Sequence, residues 1–130
     1  MESYARLFLE TIYGYRRQGR LELHAFVVMP EHVHLLLTPA PGVTLERSIQ
    51  FVKGGYSHAL GAELGRAGEV WQRGFTDHRI RDTHDFDNHR AYIHENPVRR
   101  GLVKLAENYR YCSALPGFKL DGWPSAAEAA

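Results

Sequence analysis

Two strand-like runs separated by a single Pro-Glu step constrain the fold of this chain more than any other feature. Residues 21–29 and 32–38 are rich in Val, Phe and Leu, and only Pro30 and Glu31 interrupt them. Two such runs joined by so short a break predict an antiparallel hairpin.

The segments on either side of the hairpin have helical periodicity. Residues 2–18 and 45–60 carry apolar side chains at the i, i+3, i+4, i+7 spacing, and Thr44 is a suitable N-cap for the second helix. A third helix is expected over residues 83–96, with Thr83 as its N-cap and Pro97 as its end, because the residue before proline avoids helical geometry. Residues 61–68 are expected to form a loop, and residues 75–81 a weak strand. This order predicts an α+β domain with an antiparallel sheet.

Composition limits the classes of function. The 130 residues suffice for one domain, and the net charge of +1 means that any contact with nucleic acid must come from a local basic patch. One cysteine, Cys112, excludes an intramolecular disulfide and a Cys-based zinc site. No apolar run is long enough for a transmembrane helix, and we expect a cytoplasmic protein without a membrane partner.

The histidine pair in the second strand is the sharpest chemical signal. Side chains alternate along a strand, so His32 and His34 project from one face while Val33, Leu35 and Leu37 project from the other. The apolar face should pack against the amphipathic helices. Two imidazoles side by side provide half of a metal site, although His-x-His alone is a weak motif that is also compatible with two exposed histidines.

The second signal lies on the third helix. Tyr92 and Asn96 are four residues apart and share a helix face. A phenol and a carboxamide at this spacing could supply a nucleophile and an oxygen ligand for a metal. A partly buried tyrosine and a helix-ending asparagine would give the same pattern.

Three segments together resemble a known family. They are Val28 to Leu37, Trp71-Gln72-Arg73-Gly74-Phe75, and the run from Tyr92 to Val103, Tyr-Ile-His-Glu-Asn-Pro-Val-Arg-Arg-Gly-Leu-Val. In this order and spacing they are similar to the single-tyrosine HUH (IS200-like) transposases, and most similar to the REP-associated tyrosine transposases. The resemblance implies a ferredoxin-like fold, related to the RNA-recognition module, with the histidine strand in the sheet.

The resemblance also assigns roles to residues. It implies that His32, His34 and Asn96 hold a divalent metal, Mg²⁺ or Mn²⁺, and that Tyr92 is the nucleophile. The implied activity is cleavage of single-stranded DNA, often beside a hairpin, through a covalent 5′-phosphotyrosine, followed by strand transfer. Physical chemistry agrees, because a metal ion can polarise a phosphate and a phosphotyrosine ester conserves the energy of the broken bond.

Single-stranded DNA would need a basic path lined with aromatic side chains. The candidates are Arg47, Lys53, Trp71, Arg73, Arg99 and Arg100.

The family usually has a strand before the first helix, whereas this chain begins almost at that helix. We therefore expect a transposase domain over residues 1–115, with or without the family's first strand, and a tail over residues 116–130. The chain could act as a monomer or a homodimer.

Two other functions fit the same residues less well. An inactive or truncated relative would only bind single-stranded or hairpin nucleic acid. A cupin-like oxygenase would use the His-x-His pair on a barrel strand, but would need several more strands and a third ligand.

Overall fold

The computed structural model describes residues 2–30, 32–65 and 82–122 of the chain. Within them lie three α-helices, one two-stranded sheet and two short helical turns. The elements are α1 (Glu2–Arg17), β1 (Leu21–Val28), β2 (Val33–Pro39), α2 (Leu45–Ala59), a π-helical turn (Leu60–Leu64), α3 (Thr83–Arg99) and a 3₁₀ turn (Ala106–Asn108). The predicted α+β class is confirmed.

The predicted hairpin is present and antiparallel. Val28 pairs with Val33 and Phe26 with Leu35, and the backbone N–H of Met29 donates to the carbonyl of His32 across the turn. The register shifts between Leu23 and Ala25, where β1 carries one extra residue, as in a β-bulge.

Each face of the hairpin packs against a different layer. On one face, Val33, Leu35 and Leu37 of β2 pack with α1 and α2, as the alternation predicted. On the other face a second cluster contains α3 residues and the buried Cys112; its members are Ala25, Val27, Met29, Leu36, Phe86, Ile93 and Cys112. The histidine face of β2 is therefore the face that α3 covers.

The ferredoxin-like topology is supported in outline. The order α1-β1-β2-α2 matches the middle of a β-α-β-β-α-β arrangement. The sheet in the described residues has two strands and forms a hairpin, not the closed barrel that the cupin-like alternative needs. The weak strand predicted over residues 75–81 lies outside the described residues.

Two local predictions were wrong. The expected loop at residues 61–68 begins as a π-helical turn over Leu60–Leu64, and its remainder beyond residue 65 is not described. The N-cap of α3 is Asp82 instead of Thr83, because the Asp82 side chain accepts a hydrogen bond from the backbone N–H of Asp85 at 2.8 Å. An aspartate is as good a cap as a threonine, and here it stands one residue earlier.

The segment expected to begin a tail at residue 116 is packed as far as Asp121. A bridge between Val27 and Cys112 first brings the chain along the free edge of β1. Asp121 then accepts hydrogen bonds from Arg16 at 2.9 and 3.0 Å and from the backbone N–H of Leu23 at 2.8 Å. Residues 116–121 therefore belong to the folded unit.

In the parts of the chain that the structure describes, no helix combines the length and apolar character needed to cross a bilayer.

Candidate active site

The two histidines lie together where β2 begins. Their ring centroids are 4.6 Å apart and the rings meet edge to face. His32 precedes the first strand residue and His34 lies inside the strand opposite Val27. The strand alternation thus places both imidazoles on the face that α3 covers.

Helix α3 brings Tyr92 to this pair. Phe86 and Ile93 are buried against the sheet and anchor the helix, whereas the Tyr92 side chain remains 53% exposed. The Tyr92 and His34 rings are nearly perpendicular, at an interplanar angle of 88°, with 5.8 Å between the ring centroids. The predicted nucleophile and the predicted histidines therefore converge within one chain.

Asn96 lies one turn further along α3 and is only 4% exposed. Its side-chain oxygen Oδ1 is buried and finds no hydrogen-bond partner among the described residues. Leaving a buried polar atom unsatisfied costs free energy, so such an atom calls for a role. An amide oxygen that is free to donate a lone pair to a cation fits the predicted metal ligand.

The donor set is compatible with the assignment that the family resemblance implies. Within the described residues, no group of three or more His, Cys, Asp or Glu side chains could hold a metal ion. The third ligand implied by the resemblance, Asn96, is of another type, and its buried amide oxygen has no hydrogen-bond partner among these residues. Two imidazoles with one amide oxygen are borderline to hard donors, compatible with Mn²⁺ and Mg²⁺ when phosphate and water complete the shell.

The end of α3 differs from the prediction. The helix continues through Pro97 to Arg99, instead of stopping before the proline. Gly101, with φ of 75°, ends it: the N–H of Gly101 donates to the carbonyl of Val98, and that of Leu102 to the carbonyl of Pro97. This is a Schellman motif, and together with the full burial of Pro97 it offsets the backbone hydrogen bond that proline cannot make.

The electrostatics of the site favour a neutral His34. Burial, followed by the positive charge at His32, Arg100 and Arg99, lowers the pKa of His34 to about 4. The imidazole is therefore unprotonated at neutral pH, which is the form that binds metal ions.

Comparison with known proteins identifies the family. The family described as "Transposase IS200 like" matches residues 2–96. The chain belongs to the IS200-like transposase family. It is 33% identical over 97 residues to a REP-associated tyrosine transposase of Escherichia coli K12. The matched region covers 74% of this chain and 56% of that protein.

Further relatives of this transposase domain point the same way. A Haemophilus influenzae protein, provisionally named a REP-associated tyrosine transposase, is 31% identical over 113 residues, covering 79% of this chain and 64% of that protein. A solved structure of a REP-associated tyrosine transposase bound to a REP hairpin superposes with a TM-score of 0.68 at 26% identity, covering 95% of this chain and 78% of the other. The chain thus spans less than two thirds of the length of the two sequence relatives.

The structure separates the residues that were predicted to bind DNA. Arg99 and Arg100 lie close enough to His34 to affect its pKa. Arg47 and Lys53 are exposed on α2, in the layer against the opposite face of the sheet, and the Arg47 guanidinium lies 5.3 Å from the Phe51 ring centroid. Trp71 and Arg73 lie outside the described residues.

One contact in the transposase site was not predicted from the sequence. The Arg99 guanidinium stacks on the Tyr92 ring, with Cζ 4.3 Å from the ring centroid. The signal was the seven-residue spacing of the two residues, which returns to the same helix face after two turns. Ending the predicted helix at Pro97 concealed it.

Proposed function

We propose that this chain is a metal-dependent single-strand DNA endonuclease and strand transferase that acts through a covalent phosphotyrosine at Tyr92. The observation that supports this most directly is the contact of Tyr92 with His34, at 5.8 Å between ring centroids, beside a second histidine. Membership of the IS200-like transposase family supports the same chemistry.

The covalent step is a displacement at phosphorus. The bond between Tyr92 Oη and the phosphorus forms as the bond from phosphorus to the 3′ oxygen breaks. The DNA on the 3′ side of the break then stays on the enzyme through its 5′ phosphate, and the other fragment leaves with a free 3′ hydroxyl. The phenol loses its proton to solvent, and the departing 3′ oxygen takes one up. A second 3′ hydroxyl can then attack the ester and release Tyr92, so rejoining needs no nucleoside triphosphate.

His32, His34 and Asn96 are the residues that would hold the metal. A divalent ion bound there would withdraw charge from the scissile phosphate. The low pKa of His34, about 4, keeps its lone pair available at neutral pH, and the buried Asn96 oxygen gains the partner that the described residues do not supply. Tyr92, at half exposure, remains accessible to a strand entering from solvent.

We further propose that the substrate is single-stranded DNA carrying a hairpin. The support is the solved relative, which is bound to a REP hairpin. Arg99 and Arg100 place positive charge beside Tyr92 and His34, where a DNA backbone would pass.

The test is trapping of the covalent intermediate. The protein is incubated with 3′-end-labelled single-stranded oligonucleotides that carry diverse hairpins, with Mn²⁺, with Mg²⁺ or with EDTA, and run on a denaturing gel. We expect a DNA–protein adduct that needs the metal and is absent in Tyr92→Phe.

Tyr111→Phe is the matched control, because that phenol packs with the α1–α2 core cluster, away from the site. It should form the adduct at the wild-type level. Salt-sensitive DNA binding with no adduct on any strand, and unchanged by EDTA or Tyr92→Phe, would instead identify a nucleic-acid binder without catalytic activity.

A further inference from the structure

Arg99 makes two contacts with the same residue, Tyr92. Its guanidinium Cζ lies 4.3 Å from the centre of the Tyr92 ring, and its Nη2 donates a hydrogen bond to the Tyr92 carbonyl at 3.1 Å. The first contact is a cation–π stack and the second fixes the guanidinium relative to the helix backbone. The Tyr92 ring therefore contacts the Arg99 guanidinium and also the His34 ring, which stands nearly perpendicular to it.

This arrangement depends on the way α3 ends. Seven residues separate Arg99 from Tyr92, which is two helical turns, and helical side chains lean toward the N-terminus. Arg99 reaches back over Tyr92 only because the helix continues beyond Pro97 until the left-handed Gly101. A helix ending at Pro97 would have released Arg99 from this face.

The Tyr92 side chain needs such support because it is exposed. At 53% exposure on the surface of a helix, few packing contacts restrict its rotamers. A nucleophile must be aligned with the phosphorus, and small misplacements lower the rate of the chemical step. The exposed Arg99 is thus available to set the orientation of the Tyr92 ring before DNA arrives.

We propose that Arg99 is a positioning residue for Tyr92, which holds the phenol against His34, and that its main role is not contact with the DNA backbone. This inference rests on the proposed function for its catalytic consequence, but the orientation of the ring can be measured without DNA or metal. Arg100, the adjacent arginine and also exposed, is the matched control.

The first measurement uses the metal-free protein. Nuclear Overhauser contacts between the ring protons of Tyr92 and His34 are recorded in the wild type and in Arg99→Gln, Arg99→Lys and Arg100→Gln, with Tyr92→Phe for assignment. We expect the contact to persist in the wild type and Arg100→Gln, to weaken in Arg99→Lys, and to be lost in Arg99→Gln while the amide spectrum remains that of a folded protein.

The second measurement separates chemistry from binding. With a hairpin oligonucleotide that the wild type cleaves, the single-turnover rate of adduct formation at saturating DNA and the dissociation constant are measured separately. Arg99→Gln should lower the rate about twofold to fivefold, the range that loss of an exposed cation–π contact implies, with little change in affinity. Arg99→Lys should restore part of the rate. Arg100→Gln should change mainly the affinity and its salt dependence.

The outcomes are distinct. An undiminished ring contact in Arg99→Gln, or a variant that weakens DNA binding but reacts at the full rate when saturated, overturns the positioning role. A wild-type protein that forms no adduct with any strand refutes the proposed function instead, and the ring contact then decides the positioning role alone.

Discussion

The adjacent glycines Gly54 and Gly55 in α2 should respond in opposite ways to the same substitution. A Cβ atom at Gly55 would lie 2.5 Å from the Tyr15 hydroxyl oxygen and 3.0 Å from its ring atom Cε2, whereas a Cβ at Gly54 would meet nothing within 4 Å. Gly55 is therefore the point where α2 approaches the Tyr15 side chain of α1, and Gly54 is free of that restriction.

The magnitudes follow from two opposing effects. Alanine is favoured over glycine inside a helix by about 1 kcal/mol, and Gly54→Ala should gain most of it. Gly55→Ala gains the same amount but displaces the Tyr15 ring from its stack with Phe51, at 6.5 Å between ring centroids. Overpacking of this kind costs about 1–3 kcal/mol, so the net change should range from about zero to a loss of about 2 kcal/mol.

Urea and thermal unfolding of both variants provide the assay. Gly54→Ala should raise Tm by about 4 °C, and Gly55→Ala should leave it unchanged or lower it. Removing the Tyr15 hydroxyl should relieve the closest contact, so Gly55→Ala should cost less in a Tyr15→Phe background than in the wild type. Equal stabilisation by the two alanines would refute the close approach of Tyr15 to α2.

Two further predictions concern charge. Asp121→Asn, which breaks the ion pair with Arg16, should destabilise the protein at pH 7 by about 1–3 kcal/mol in urea unfolding. Burial alone would raise the pKa of Asp121, but the hydrogen bonds from Arg16 and the backbone outweigh burial and bring the pKa below its ordinary value of 3.8. The stabilisation by the Asp121 carboxylate is therefore present above pH 3.8 and is lost as pH falls through the pKa of the folded protein. The difference between wild type and Asp121→Asn should shrink accordingly in acid, and a constant difference would contradict this. In the metal-free protein, the His34 ring should titrate by NMR near pH 4, and Arg100→Gln should raise that midpoint. Because the pKa of His34 in the folded protein lies below its ordinary value of 6.5, the contribution of neutral His34 to stability is complete above pH 6.5 and declines as pH falls toward 4. An NMR titration midpoint near pH 6.5 would disprove the buried environment with neighbouring positive charges.

The parts of the fold that depend on local pattern were predictable. The hairpin, α1 and α2 each begin and end within about one residue of the positions expected from periodicity and capping, because these signals act over a few residues. The shared face of His32 and His34 followed from strand alternation in the same way. The meeting of Tyr92 with His34 did not, since periodicity cannot say which helix covers which face; that expectation came from the family resemblance.

The features that the sequence did not reveal depend on distant contacts. Pro97 stays inside α3 because it is fully buried and because Gly101 supplies a C-terminal motif beyond it, so tertiary packing overrides a local rule. The pairing of Asp121 with Arg16 joins residues 105 positions apart, and no short-range pattern encodes it. The position of Arg99 over Tyr92 depends on the continuation of α3 through Pro97.

The folded segment over residues 111–121 has a consequence for solubility. It occupies hydrogen-bonding groups along the outer edge of β1, with Tyr111 at Val28, Ser113 at Phe26 and Asp121 at Leu23. An uncovered strand edge with apolar side chains is a template for aggregation. Proteolysis within residues 114–122 would therefore uncover the edge of β1 at Leu23, and we expect the cleaved protein to be more prone to precipitate.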